Sequence, residues 1–381
     1  MIFNGRKLMT RTLDKDKIRN ILVRATNWLG DAVMNTPALG AIRETFPTAR
    51  ITVLANPLVA QLFASHDGVD EVMVYDRQGT HAGLGGKLRL AGELRARRFD
   101  LAILLQDAFD AALIAMLAGI PRRLGNNSDG RALLLTHGFA HREGADDCHH
   151  VDNYLRMLAF FGINGSTKCL HLSTTVAEDA AMAILLAGSG IGPDDFVLGV
   201  NPGATYGSAK RWYPERFAVV ARELGVTWRA KVVITGGPTE AGMAGEIAAA
   251  LDGACLNMAG KTDVRQLMAL IKRCNFFISN DSGPMHIAAA FHVPLVAVFG
   301  STDHRTTYPY ADNAVVVRKE TDCAPCLKRE CPTDHRCMTA VTAEDVVAAA
   351  EKLRNQFKVR RPMSTVESSL PEPRTSRADL P

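Results

Sequence analysis

The chain is expected to fold as two doubly wound α/β domains in tandem, and three observations predict it. Short β-branched runs alternate with amphipathic stretches along most of the chain, a rhythm that implies parallel βαβ units. The breaker-rich stretch Ala187-Gly188-Ser189-Gly190-Ile191-Gly192-Pro193 cuts that alternation into two series. The 381 residues, 47% hydrophobic and 22% charged, suffice for two cores without disulfide staples. The domains are therefore placed at 18–187 and 193–357. A charged leader over 1–17 and a Pro-rich tail over 358–381 are expected to be disordered.

In the first series, Ile21-Leu22-Val23 reads as a buried strand and 31–46 as a helix stopped by Pro47. Strands follow at 51–54, 71–75 and 101–105, with helices at 57–65, 88–97 and 108–117, the last ending at Gly119. Gly, Asn, Asp and His dominate 125–150, which is expected to be a polar loop. Helices over 151–161 and 176–186 complete the half. The second series has strands at 196–200, 232–235, 276–279 and 295–299. Its helices are expected at 214–224, with Pro214 in the first turn, and at 240–251, 264–271, 284–290 and 343–354.

Composition excludes several classes. The formal net charge of +4 is unevenly spread: the leader with Ile18 and Arg19 carries +4, the tail +2 and the body between them −2. A nucleic-acid binder would show a sequence-wide basic excess. No apolar run reaches the length of a membrane span, and none follows Arg6, Lys7 and Arg11 as a secretory signal requires. The expected compartment is the cytoplasm, where the eight cysteines should be mostly reduced.

Ligands of open α/β sheets bind beyond the carboxyl ends of the strands, so the loops there are the candidates for chemistry. The loop Arg24-Ala25-Thr26-Asn27-Trp28-Leu29-Gly30-Asp31 lacks the G-x-G-x-x-G fingerprint of dinucleotide oxidoreductases. Its Asp31 is either a helix cap or a general base. The loop 201–212 combines Gly203, the hydroxyls of Thr205 and Ser208, and the point charge of Lys210, a set suited to phosphate. Gly236 and Gly237 form a turn at the same end of the sheet. In Ser279-Asn280-Asp281-Ser282-Gly283-Pro284-Met285-His286, a helix start at Ser282 and Gly283 would offer free N–H groups to an anion. His286 lies one turn further on, and Asp281 is read as ordering the loop. A basic set, Arg77, Lys87, Arg89, Arg95, Arg97 and Arg98 with Arg122, Arg123 and Arg131, is either a solvated face or a grip on an anionic acceptor. Cys323, Cys326, Cys331 and Cys337, with His335 among them, leave structural zinc and plain thiols both open.

Together these loops resemble the lipopolysaccharide heptosyltransferases of glycosyltransferase family 9, most closely the heptosyltransferase II group. The matching stretches are Asn27-Trp28-Leu29-Gly30-Asp31, Asn201-Pro202-Gly203-Ala204, Lys210-Arg211-Trp212, the 280–286 loop and the 323–337 cysteine segment. The resemblance implies a GT-B fold, two Rossmann-like domains facing across a cleft. It implies an ADP-heptose donor held by the C-terminal domain and a lipid A-linked Kdo/heptose acceptor held by the N-terminal one. It further implies peripheral work at the inner face of the inner membrane. The implied mechanism is inverting, with Asp31 as base and Lys210 stabilising the leaving ADP. Thr205, Lys261, Asp281 and His286 carry over as donor-site positions; neither a cofactor nor a divalent metal is required. A related transferase with another nucleotide sugar or core acceptor, and a catalytically silent nucleotide-sugar binder, are the competing readings.

Overall fold

The computed structural model describes residues 13–140 and 148–357. The strands are β1 (Asn20–Arg24), β2 (Arg50–Ala55), β3 (Glu71–Val74), β4 (Leu101–Leu104), β5 (Arg122–Asn126), β6 (His137–Phe139), β7 (Val197–Asn201), β8 (Lys231–Ile234), β9 (Cys255–Asn257), β10 (Phe276–Asn280), β11 (Leu295–Val298) and β12 (Ala314–Val317). The helices are α1 (Leu29–Met34), α2 (Thr36–Thr45), α3 (Pro57–Ala60), α4 (Gly83–Ala96), α5 (Phe109–Leu117), α6 (His150–Phe160), α7 (Val176–Gly188), α8 (Pro214–Trp228), α9 (Ala241–Ala250), α10 (Val264–Arg273), α11 (Gly283–Ala290), α12 (His304–Thr307), α13 (Arg336–Thr339) and α14 (Ala343–Phe357).

Two six-stranded sheets result, in the orders β3-β2-β1-β4-β5-β6 and β12-β11-β10-β7-β8-β9. Every pairing is parallel, with Ile21 registered against Ile51 on one side and Leu101 on the other. Strands covered on both faces need continuous apolar runs, which Ile21-Leu22-Val23 and Leu295-Val296-Ala297-Val298 supply. Each sheet reverses its winding beside its first strand, between β1 and β4 and between β7 and β10. Crevices at such switch points take ligands.

The two sheets have the predicted class, but several elements differ. The single helix expected over 31–46 is two, α1 and α2, broken at Asn35. Pro37 has no N–H to give the Val33 carbonyl, and the Thr36 hydroxyl donates to it instead at 2.8 Å. The helix expected over 57–65 is α3 plus a 3-10 turn at Gln61–Phe63. Four outer strands, β5, β6, β9 and β12, were not expected. Arg122-Arg123-Leu124-Gly125-Asn126 has no apolar alternation, and its strand is finished by the Arg131 side chain. That buried guanidinium donates to the carbonyls of Asn126 and Gln106 and pairs with Asp107. The end of the expected leader is docked: Leu13 is buried, and Lys15 Nζ donates to the Gly162 carbonyl at 2.5 Å. Residues 1–12 and the tail from 358 lie outside the described residues.

Each sheet has one apolar face filled within its own half. The other faces merge: a single buried cluster runs from Ile21, Val23 and Leu39 through Met182 and Leu186 to Met268, Met285 and Phe299. The helix α7 belongs to this junction. It carries a capping box, Thr175 with Glu178, and is held to α10 by charge. Arg265 grips Glu178 with both ends of its guanidinium at 2.6 and 2.7 Å, and Lys272 meets Asp179 at 2.7 Å.

The hydrogen bond from Arg265 is the main reason that the Glu178 carboxyl is held down to about 2. Because the folded value lies below the ordinary one, this stabilisation is complete above about pH 5 and is lost as pH falls toward the folded value. Glu178→Gln is expected to cost about 1 kcal/mol at pH 7 and distinctly less at pH 3. Urea denaturation at the two pH values measures the difference.

Candidate functional site

The loop between β1 and α1 is fixed from below. Arg24, the last residue of β1, is buried, and burial pushes its guanidinium down to about 10. It donates to Asn27 Oδ1 at 2.8 Å, and Asn56 Nδ2 donates to the Asn27 carbonyl at 2.8 Å. The helix α1 then starts at Leu29 with Trp28 as its N-cap. Asp31 is therefore inside the first turn and is not the cap, which resolves one of its two readings. Burial pushes its carboxyl above the ordinary range, opposed by the charges of His150 and Lys210. His150 Nδ1 stands 3.9 Å from Asp31 Oδ1.

The loops after β7 and β10 are bolted together by two asparagines. Asn201 Nδ2 donates to the Gly203 carbonyl at 3.2 Å and to Ser282 Oγ at 3.1 Å. Asn280 Nδ2 donates to the Pro202 carbonyl at 2.6 Å, and its Oδ1 accepts from Trp212 N at 3.1 Å. Ser282 is the N-cap of α11, but its hydroxyl is engaged by Asn201 and Ser279 and does not cap. The first-turn N–H groups of α11 thus keep no side-chain acceptor, and Pro284 removes a donor that had no partner to find. Lys210 reaches Asp281 at 2.6 Å and lies over the Tyr206 ring at 4.9 Å. Asp281 also accepts from Thr302 at 2.5 Å.

The two halves meet where α1 touches α11. A Cβ on Gly30 would stand 2.8 Å from the His286 ring, and a Cβ on Gly283 would stand 3.0 Å from that of Leu29. The first contact is closer than a side chain tolerates and the second is tight enough that Leu29 would have to give, so glycine eases the approach at both positions. Burial, the largest cause, together with the charges of His149, Lys210 and His150, holds the His286 imidazole down to about 3. It is a neutral group here, able to donate or accept one hydrogen bond but not to supply charge. Its Nδ1 is buried without a partner among the described residues.

A cavity of about 400 Å³ opens over this junction. Of the sequence-predicted residues, Asp31, Thr205, Lys210, Asp281, Ser282, Gly283 and His286 line it. Gly203, Ser208, Gly236, Gly237 and Lys261 do not. Ser208 opens the 3-10 turn that delivers Lys210, and Lys261 Nζ is turned to the Asn257 carbonyl at 2.8 Å. Gly203, Gly236 and Gly237 surround the buried Glu240 carboxylate, which accepts from Gly237 N at 2.7 Å. The basic set is largely spent inside the fold. Arg95, Arg122 and Arg123 donate to main-chain carbonyls, Arg97 pairs with Glu71, and Arg131 is buried. Arg77 and Lys87 instead flank Asp110, each at 3.8 Å, beyond the carboxyl end of β3.

Cys323, Cys326, Cys331 and Cys337 are free thiols. Among the described residues, no three His, Cys, Asp or Glu side chains stand close enough together to hold a metal ion. No described helix is long and apolar enough to cross a membrane. Sequence reasoning passed over His150, Glu240, Tyr206 and Thr302. The histidine pair closing a polar loop just before a helix was the available signal for His150.

Comparisons with known proteins follow this geometry. The model of glycosyltransferase family 9 (heptosyltransferase) matches residues 87–336. Lipooligosaccharide heptosyltransferase 2 of Campylobacter jejuni is 30% identical over 340 residues, 87% of this chain and 98% of that protein. Lipopolysaccharide heptosyltransferase 2 of Salmonella typhimurium is 31% identical over 309 residues, 78% of this chain and 87% of that protein. The solved structure of Escherichia coli ADP-heptose lps heptosyltransferase II superposes with a TM-score of 0.76 at 26% identity, covering 89% of this chain and 99% of that one.

The α1–α11 contact generates a stability test. Gly30→Ala forces its new methyl onto a buried ring and is expected to cost about 1–3 kcal/mol. Adding His286→Ala should return part of that loss, giving a non-additive double-mutant cycle in urea denaturation.

Proposed function

The chain belongs to glycosyltransferase family 9, the heptosyltransferases, and from that premise we propose that it moves L-glycero-D-manno-heptose from ADP-heptose to the heptosyl-Kdo₂-lipid A inner core of lipopolysaccharide. The observation that carries the reading is the meeting of Asp31 and Lys210. They come from different halves of the chain and line one cavity beside the uncapped start of α11.

In this reading the donor lies over the second sheet. The diphosphate sits against the first-turn N–H groups of α11, which the helix dipole favours. One N–H of Lys210 stays on Asp281 and the others face the diphosphate, so Asp281 aims the ammonium without touching phosphate. Glu240, just beyond β8 and set among glycines, stands where doubly wound folds place the acid that holds a ribose. The acceptor comes from the first half. Asp31 takes the proton from its hydroxyl as that oxygen attacks the anomeric carbon from the face opposite ADP. The C–O bond to ADP breaks with inversion, and Lys210 and the α11 amides receive the growing negative charge. A carboxyl raised by burial is a stronger base than an ordinary aspartate, provided the pH is high enough to ionise it.

Arg77 and Lys87 lie at the same edge of the first sheet as Asp31, and they are the basic side chains proposed to meet the anionic groups of the acceptor. An acceptor embedded in a membrane requires the enzyme to visit the surface, so we assign it a peripheral place at the inner face of the inner membrane. Positive side chains gain about 1 kcal/mol each near anionic lipid.

Asp31→Asn is expected to lower transfer by about 10²–10⁴-fold while ADP-heptose binding, read by calorimetry, is retained. Near wild-type transfer by the variant would remove Asp31 from the chemistry. The acceptor is decided by ADP release with Kdo₂-lipid A and with its mono-heptosylated form. Release only with the mono-heptosylated form is expected. Release only with Kdo₂-lipid A would make this the first transfer, and release with neither would point to another donor or acceptor.

A further inference from the structure

The base proposed above stands in a site that resists its ionisation, and two neighbours, His150 and Lys210, oppose that resistance. Asp31 is packed under α6 and α11, where burial favours the neutral acid. The groups facing it are His150 and Tyr154 from α6, Lys210 and Asp281 from the loops of the second half, and His286 from α11. Lys210 is already paired with Asp281 at 2.6 Å, His286 is neutral, and Tyr154 is a buried phenol held protonated by burial and by Asp31 itself. With the Lys210 charge offset by that of Asp281, His150 is the largest charge favouring the ionised form of Asp31. Its Nδ1 lies 3.9 Å away, too far for a hydrogen bond and near enough for a strong Coulombic effect.

The place of His150 is fixed from the other half of the molecule. His149, the N-cap of α6, accepts from Val151 N through Nδ1 at 3.2 Å. Its Nε2 therefore carries the proton and donates to the Tyr308 carbonyl at 2.9 Å. The same ring packs against both Tyr308 and Tyr310, with centroids 4.5 and 4.6 Å away. Burial keeps His149 neutral. One histidine thus ties the start of α6 to the second half, and the next residue in sequence faces the base.

We infer that His150 is a positioning residue for Asp31: in its protonated form it holds the half-buried carboxyl ionised, and the His149–Tyr308 tether sets it there when the two halves are together. This rests on the reading of Asp31 as the base. The imidazolium takes no part in the bond changes; it sets the fraction of enzyme whose base is ready to accept the acceptor's proton.

The test compares wild type, His150→Gln, His150→Lys and Asp31→Asn in pH profiles of kcat/KM for ADP-heptose with the mono-heptosylated acceptor. The acid limb of such a profile reports ionisation of the free enzyme's base. His150→Gln should move that limb up by about one pH unit. The KM for ADP-heptose should stay unchanged, and full activity should return at high pH. His150→Lys, which restores a charge, should bring the limb back down. An unmoved limb in His150→Gln, or a loss of rate equal at every pH, overturns the inference and leaves the base assignment intact if Asp31→Asn is inactive. An active Asp31→Asn removes both.

Discussion

The contact between α1 and α11 is the constraint on which the site depends. Two helix starts, one from each half, approach until Gly30 lies on the His286 ring and Gly283 lies on Leu29. A side chain at Gly30 would collide with the His286 ring, and one at Gly283 would crowd Leu29. The proposed base and the proposed diphosphate site are each within a residue of these glycines, so the spacing between them is set by atoms that are missing.

Around that contact the polar groups are organised in two different ways. In the second half the loops after β7 and β10 are braced by Asn201 and Asn280, both fully inside the protein, whose amide groups replace the main-chain partners that loop backbones lack. Lys210 and Asp281 form a near-neutral pair over this brace. In the first half Arg24, Asn56 and the buried Asn35 fix the loop that leads to α1, while the Asp31 side chain itself accepts no bracing amide among the described residues. The Asp31 carboxyl is half-buried on the cavity wall, raised by burial and lowered by His150 and Lys210, which makes it responsive to pH. The proposed anion site is thus held by buried amides, while the proposed base is governed mainly by charge. That division suits a reaction in which the leaving group must be held and the acceptor must be deprotonated.

Much of this was legible in the residues. The strands at the centre of each sheet are continuous apolar runs, so Ile21-Leu22-Val23 and Phe276-Phe277-Ile278 identified themselves. The outer strands did not: Arg122 and Arg123 in β5 carry no apolar alternation, and the strand is held by its pairing with β4 and β6 and by Arg131, which donates to the Asn126 carbonyl at its end. The break at Asn35 was hidden in a run with good helical spacing, with Pro37 as its overlooked cause. At the site, Lys210, Asp281 and His286 could be found because each follows a recognisable strand. His150 was harder to find, because the polar stretch before α6 carries no periodicity and the His149-His150 pair was its one signal. Gly203 and Gly236 were read as room for a ligand, and they are room for Glu240.

The merged apolar cluster has a consequence for how this architecture can be taken apart. One face of each sheet is completed by the other half, through Met182, Leu186, Met268 and Met285. Severing the chain at the 188–193 turn would leave both pieces with a broad greasy wall and no water-compatible substitute. The two Rossmann-like units are thus a single cooperative folding unit despite their internal repetition. Recombination that exchanged one half for that of a relative would have to bring the matching wall with it.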